Sequence, residues 1–266
     1  MSQEYYKAGC FAGLIGTLTS HPFDTLRIRV QTSYIKSIPY HFKQLLNDGG
    51  IRSFYKGAIP PLIGLTFEKS IVFGTYSNIS NYRLFKNDLY NNMFAGFTAG
   101  LVSTLIVTPV EAIKINQQNS KQKYGLIKCT YDLVKNKRLY YGFKPTLFRE
   151  PPGFAIYFST YSYLKDKYYA GNVNPFQSFI LGGITGSFSW IFIYPADVVK
   201  SNMQLKNSNY NGMFDCIKTL KKENGLSVFY KGFPTCIMRA FPLHGGAFFG
   251  FELYKTYFIC DTLPLD

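Results

Sequence analysis

Groups of residues in this chain repeat at fixed offsets, and their types define the chemistry open to them. Pro22, Asp24, Arg27 and Gln31 are matched by Pro109, Glu111, Lys114 and Gln118, and again by Pro195, Asp197, Lys200 and Gln204. The prolines stand 87 and 86 residues apart, a period that marks internal repeats. Within each copy the acid and the base lie three residues apart, on one face of a helix. Taken singly, each copy is a local surface ion pair worth ~0.5 kcal/mol. Taken together, they make a ring. Proline removes a backbone hydrogen bond and kinks its helix; three kinked helices converge, and each acid reaches the base of the next repeat. The ring accounts for all three copies at once, whereas the local pair accounts for one.

A second set of charges, Glu68, Arg149, Glu150 and Arg239, interrupts segments that are otherwise apolar. Arg149 and Arg239 each lie seven residues beyond a glycine, Gly142 and Gly232, that opens the segment; Glu150 lies eight beyond Gly142 and Glu68 eleven beyond Gly57. Seven residues of helix rise about 10 Å, which is mid-depth in a bilayer. An ionisable side chain at that depth is costly unless it meets water or a partner. A charge near the interface could instead snorkel, but the depth favours a binding role for all four. Lys69 points about 100° away from Glu68 around the helix and is set aside.

The elements that must position these residues follow from the spacing of charge. Ala8 to Phe23, Leu89 to Val110 and Tyr168 to Ala196 carry no Asp, Glu, Lys or Arg over 16, 22 and 29 residues. The two longer runs suffice to cross ~30 Å of hydrocarbon, and the first nearly does. Each run ends in one of the proline copies. A polar link, a short amphipathic stretch and an aromatic-x-Gly sequence come next: Tyr55-Lys56-Gly57, Tyr140-Tyr141-Gly142 and Tyr230-Lys231-Gly232. Each opens a second apolar segment. Gly9, Gly13 and Gly16, then Gly96 and Gly100, then Gly182 and Gly186 line one face of the first segments, where small residues let helices approach closely. The chain is therefore read as an all-α membrane protein with six transmembrane helices in three tandem repeats, 1–86, 87–170 and 171–266, plus three short surface helices. Six crossings put both termini on one side.

Composition narrows the functional classes. The chain has 29 basic and 15 acidic residues, a net charge of +14, which suits nucleic acid or an anionic membrane. The long uncharged runs exclude a soluble nucleic-acid binder, and no nucleic-acid partner is expected. Aromatic residues make up 18% of the chain and suit interfacial belts. Cys10, Cys129, Cys216, Cys236 and Cys260 are scattered and odd in number, so they read as reduced packing residues. His21, His41 and His244 are too dispersed for a metal site. No nucleophile–base pair or phosphate loop appears, so neither a cofactor nor enzymatic activity is expected. The start of the chain lacks the pattern of a cleaved leader, which makes any targeting signal internal.

The three Pro-x-acid-x-x-base copies and the aromatic-Lys-Gly sequences at 55–57 and 230–232 resemble the mitochondrial carrier family, and the resemblance spans essentially the whole chain. It implies a six-helix bundle with threefold pseudosymmetry around one central site, with the short helices on the matrix side. It also implies a matrix gate made of the pairs Asp24–Lys114, Glu111–Lys200 and Asp197–Arg27, braced by Gln31, Gln118 and Gln204. The family's cytoplasmic motif is intact only at Phe251-Glu252-Leu253-Tyr254-Lys255. Its counterparts, Tyr161-Ser162-Tyr163-Leu164-Lys165 and Tyr76-Ser77-Asn78-Ile79-Ser80, lack the acid or both charges. One ion pair, Glu252 with Lys165 or Lys255, is then expected, and a weaker closure on that side. Arg149-Glu150 resembles the amino-acid branch, where Arg answers a carboxylate and Glu an ammonium. Glu68 and Trp190 resemble the ornithine type, Trp190 by a cation–π contact. The implied function is exchange of a basic amino acid across the mitochondrial inner membrane, with Glu68, Arg149, Glu150, Trp190 and Arg239 around the substrate. A carrier for carnitine or acylcarnitine, or for a small neutral amino acid, is the alternative, and a non-transporting basic scaffold is the reading from another class. Cardiolipin is expected at Lys56-Gly57 and Lys231-Gly232, the protein is expected to work as a monomer, and both termini are expected in the intermembrane space.

Overall fold

The structure, a computed structural model, describes residues 2–32, 38–55, 58–119, 126–136, 139–140, 142–204, 212–230 and 232–259, without the side chains of 27–32, 110–129 and some single residues. Ten α-helices are present among them: α1 (Ser2–Thr32), α2 (Ile38–Gly49), α3 (Ile51–Phe54), α4 (Ile59–Asn81), α5 (Asp88–Asn119), α6 (Leu126–Lys135), α7 (Phe143–Tyr169), α8 (Pro175–Gln204), α9 (Met213–Asn224) and α10 (Phe233–Tyr254). A 3-10 turn, Leu226–Tyr230, precedes α10, and a π turn, Lys255–Ile259, follows it. No strand occurs among the described residues. Two helical segments, Asp88–Pro109 and Pro175–Lys200, are long and apolar enough to cross a membrane.

The six long helices close into a ring. α1 packs on α4, α4 on α5, α5 on α7, α7 on α8, α8 on α10, and α10 back on α1. Glu4, at the start of α1, accepts a hydrogen bond from the Tyr254 hydroxyl at the end of α10, at 3.0 Å. The start of α1 and the end of α10 therefore lie at one end of the ring. Much of the outside is apolar: Ile63 and Phe67 on α4, Leu105 on α5, and Phe176, Ile184 and Phe192 on α8 are exposed. Apolar side chains exposed on three of the long helices make a surface for lipid or for partner chains.

Glycine sets the spacing within each repeat. A Cβ at Gly9 would lie 2.7 Å from the Lys69 carbonyl oxygen, and one at Gly96 would lie 2.5 Å from that of Phe154. At Gly182 it would lie 2.8 Å from the His244 carbonyl oxygen. Each of these glycines stands thirteen residues before its repeat's proline, so α1 meets α4, α5 meets α7 and α8 meets α10 in the same way.

The kinks explain a second repeated residue. α1, α5 and α8 run through Pro22, Pro109 and Pro195 without ending. Proline lacks the N–H that would bond the carbonyl four residues earlier, which orphans Leu18, Leu105 and Ile191. The structure supplies each with a donor. The hydroxyl of Tyr55 donates to Leu18 O at 3.1 Å, Tyr140 to Leu105 O at 3.3 Å, and Tyr230 to Ile191 O at 2.9 Å. These are the tyrosines of the three aromatic-x-Gly sequences. Two of them also stack on the residue before the proline, Tyr55 on His21 at 6.0 Å and Tyr230 on Tyr194 at 6.2 Å. An unbonded carbonyl in an apolar setting costs about 1–3 kcal/mol, which gives the recurrent tyrosine a physical reason.

The short helices seat against the feet of the kinked ones. Leu26, Leu45 and Phe54 bury one contact; Val199, Cys216 and Leu220 bury the equivalent one in the third repeat. The Cys216 thiol, 3.9 Å from the Val199 carbonyl, is pushed up in pKa by burial and by Asp215.

Candidate functional site

The interior is built from α4, α7 and α10, whose inward stripes occupy matching positions. Twelve residues beyond Gly57, Gly142 and Gly232 stand Lys69, Phe154 and His244; sixteen beyond stand Phe73, Phe158 and Phe248; nineteen beyond stand Tyr76, Tyr161 and Phe251. The steps of three and four keep each stripe on one helical face.

The upper part of this interior is filled with rings. Phe73 stacks on Phe251 at 4.7 Å and meets Phe158 and Phe248 edge-on at 5.3 and 5.4 Å. Tyr76 stacks on Phe158 at 3.8 Å, and Tyr161 on Phe248 at 3.5 Å. All three repeats contribute to these contacts. Tyrosine hydroxyls tie the seams between repeats at the same end. Tyr76 donates to Asn92 at 2.8 Å, Tyr161 bonds Ser178 at 3.1 Å, and Tyr254 takes over at the third seam, where Phe251 has no hydroxyl. Glu252, 7% exposed, lies beyond the rings, 3.6 Å from Lys165 and 3.8 Å from Lys255. A weaker closure follows from counting charges alone. Here stacked ring area carries the contact, and the one acid is shared by two lysines.

Toward the prolines the interior is ionic. Arg149, on α7, binds Glu150 through Nη2 and Asp197 of α8 through Nη1, the latter at 2.7 Å. Arg239, on α10, places Nε 2.7 Å from Asp24 of α1, an ion pair by distance whose angle falls short of a hydrogen bond. The mid-depth arginines thus hold the acids of two proline motifs across the seams between repeats. The first repeat has Gly64 at the level of these arginines, and a side chain there would meet nothing within 4 Å. The side chains of Arg27, Gln31, Glu111, Lys114, Gln118 and Gln204 lie outside the described residues, as do Lys56, Gly57 and Lys231. The paired gate expected from Asp24–Lys114, Glu111–Lys200 and Asp197–Arg27 involves these side chains; Lys200 itself is 4% exposed.

Lys69 is the residue that sequence reasoning passed over. It is 4% exposed, its Nζ lies 5.0 Å from the Phe154 ring centroid, and it pairs with Glu68 at 3.9 Å. The signal was available: Lys69, Val72, Phe73 and Tyr76 form one i, i+3, i+4, i+7 stripe, the same stripe as in the other two repeats. Trp190 donates its indole N–H to His244 Nε2 at 3.2 Å. An apolar groove of about 300 Å³ between α1 and α4, lined by Cys10, Leu14, Leu62, Ile63, Thr66 and Phe67, has no charged wall and offers a polar solute nothing.

Residues 2–87, 85–172 and 171–262 each match the family model described as mitochondrial carrier protein. A mitochondrial arginine transporter of Arabidopsis thaliana is 32% identical over 263 residues, covering 93% of this chain and 89% of its own. The mitochondrial basic amino acids transporters of Homo sapiens and Bos taurus are 32% and 31% identical over 276 and 275 residues, each covering 95% of this chain and 89% and 91% of their own.

Proposed function

This chain belongs to the mitochondrial carrier family, and on that premise we propose that it exchanges basic amino acids, such as arginine, ornithine or lysine, across the mitochondrial inner membrane by alternating access. The observation that carries this reading is the mix of charges at mid-depth: Arg149 pairs with Glu150 on α7, and Glu68 lies on α4. A basic amino acid brings one carboxylate and two cations, and these residues offer one base and two acids; a neutral zwitterion leaves one of the acids without a substrate cation.

The same pairs give a route from binding to opening. Breaking a buried pair outright costs about 3–5 kcal/mol, but exchanging one partner for another avoids most of that. The substrate carboxylate takes Arg149 or Arg239, and its two ammonium or guanidinium groups face Glu150 and Glu68. Asp197 and Asp24, released, become available to Arg27 and Lys114, so loading the site helps to close the proline end while the aromatic end opens. In this reading all six long helices cross the membrane and the proline end faces the matrix. The start of α1 and the end of α10, and with them both termini, lie in the intermembrane space. The three repeats, 1–86, 87–170 and 171–266, move as units of one monomer. Gly232, with φ of 86°, opens α10; cardiolipin docks at this helix start beside Lys231, and at Lys56-Gly57.

The test is exchange by purified protein in liposomes preloaded with arginine, with lysine, ornithine, citrulline, carnitine and glycine as competitors. The cationic amino acids should compete best. Glu68→Gln should weaken them at least tenfold relative to citrulline, equivalent to about 1.4 kcal/mol. Preference for carnitine or glycine by the wild type would overturn the reading.

A further inference from the structure

His244 sits in a fixed pose. A Cβ at Gly186 would run into its ring, so the imidazole occupies the notch that this glycine leaves in α8. One helical turn on, Trp190 reaches Nε2. Indole N–H donates only. The imidazole nitrogen that faces it must therefore be bare, and the single ring proton sits on the other nitrogen, Nδ1. A doubly protonated ring would set two N–H groups against each other. Trp190 thus holds His244 as a neutral donor with its N–H aimed away from α8.

That donor has nothing to bond. His244 is 8% exposed, and Nδ1 has no hydrogen-bond partner. Beside it, with ring centroids 4.8 Å apart, is Tyr157, 1% exposed, whose hydroxyl is also unpartnered. Two orphaned polar groups on adjacent rings in a packed interior are rare, and such groups call for a ligand or a functional role. At the same level of the bundle α4 contributes Lys69. Donors and a cation collect here, a set that suits an anionic acceptor.

We propose that His244 and Tyr157 donate to the carboxylate of the substrate, with Trp190 as the positioning residue that fixes the His244 proton. This rests on the proposed function, which supplies the carboxylate. Arg239, five residues earlier on α10, reaches one carboxylate oxygen, and the His244–Tyr157 pair donates to the other from beneath the phenylalanine layer.

The experiment compares arginine with agmatine, its decarboxylated analogue, as competitors for arginine uptake into liposomes. The readout is the advantage of arginine over agmatine, a ratio that does not depend on how much protein folds. His244→Leu should shrink that advantage about tenfold, and Tyr157→Phe by several fold. His244→Asn should keep most of it, because the amide nitrogen can occupy the place of Nδ1 and donate in its stead. Trp190→Phe should fall between, since it frees the imidazole to change tautomer. If His244→Leu lowers arginine and agmatine competition in proportion, or if the Asn variant is as impaired as the Leu variant, the inference is wrong. A wild type inert toward arginine, lysine and ornithine would overturn the functional reading itself, and the inference with it.

Discussion

The repeats are joined by different forces at the two ends of the bundle. At the proline end the repeats meet through charge: Arg149 spans to Asp197, and Arg239 to Asp24. At the other end they meet through rings, with Phe73, Phe158 and Phe248 in one layer and Tyr76, Tyr161 and Phe251 in the next. An ion pair can trade partners, so charge suits the end that must respond to a charged solute. Stacked rings have no second partner waiting. Separating them exposes apolar area at roughly 25 cal/mol per Å², which makes that end cooperative and insensitive to the solute's charge. Two of the three motif copies at this end lack the acid, and there stacked apolar area supplies contact that charge does not.

The comparison is broken most directly at Asp197. Asp197→Lys places like charges against Arg149 and should reduce exchange by two orders of magnitude or more, in line with the several kcal/mol of an uncompensated buried charge. Arg149→Glu added to it should restore part of the rate if the pair at 2.7 Å matters, and Arg27→Asp should restore part if the inter-repeat gate does. Each double mutant reports on one form of the carrier; no rescue by either would remove charge exchange from the mechanism.

Phe73→Ala probes the opposite end. Losing a buried phenylalanine costs about 3–5 kcal/mol, to be read as a lowered melting temperature and as leak of preloaded substrate without external counter-substrate. Unchanged leak would mean that the rings pack but do not close. Phe73→Leu should leak less than Phe73→Ala.

Smaller effects sharpen the contrast. Tyr55→Phe, Tyr140→Phe and Tyr230→Phe each remove one hydrogen bond and should cost about 1 kcal/mol in thermal unfolding. Tyr230, at 2.9 Å, should cost most and Tyr140, at 3.3 Å, least. Smallest of all should be Lys255→Gln, because its side chain is 40% exposed and Lys165 remains on Glu252. An exposed pair contributes about 0.2–1 kcal/mol. Only the double Lys165→Gln/Lys255→Gln variant, which strands Glu252, should visibly destabilise the aromatic end.

The repeat architecture was legible because it is written three times: prolines, acids, glycines and tyrosines recur at matched offsets, and helix geometry converts offsets into faces. Individual partners were less legible. Asp24 and Asp197 could be placed in a ring from spacing, but that Arg239 and Arg149 would hold them depends on kink angle and helix separation, which no single segment encodes. Lys69 lies about 100° from Glu68 around the helix, but the stripe that sets the inward direction runs through Val72, Phe73 and Tyr76 and not through Glu68. The Trp190–His244 bond joins residues 54 positions apart, and neither residue type alone signals it.

The tyrosines at the kinks have a mechanical consequence. Each joins the start of one long helix to the bend of the other within its own repeat, at the site where proline would otherwise leave a soft joint. Bracing an elbow turns two rods into one lever. The compliance of the barrel is then confined to the three seams between levers, where the bonds are those a solute or a ring displacement can undo. Motion of this molecule should accordingly be countable in three rigid pieces, and a crosslink within a repeat should be tolerated where the same crosslink across a seam arrests it.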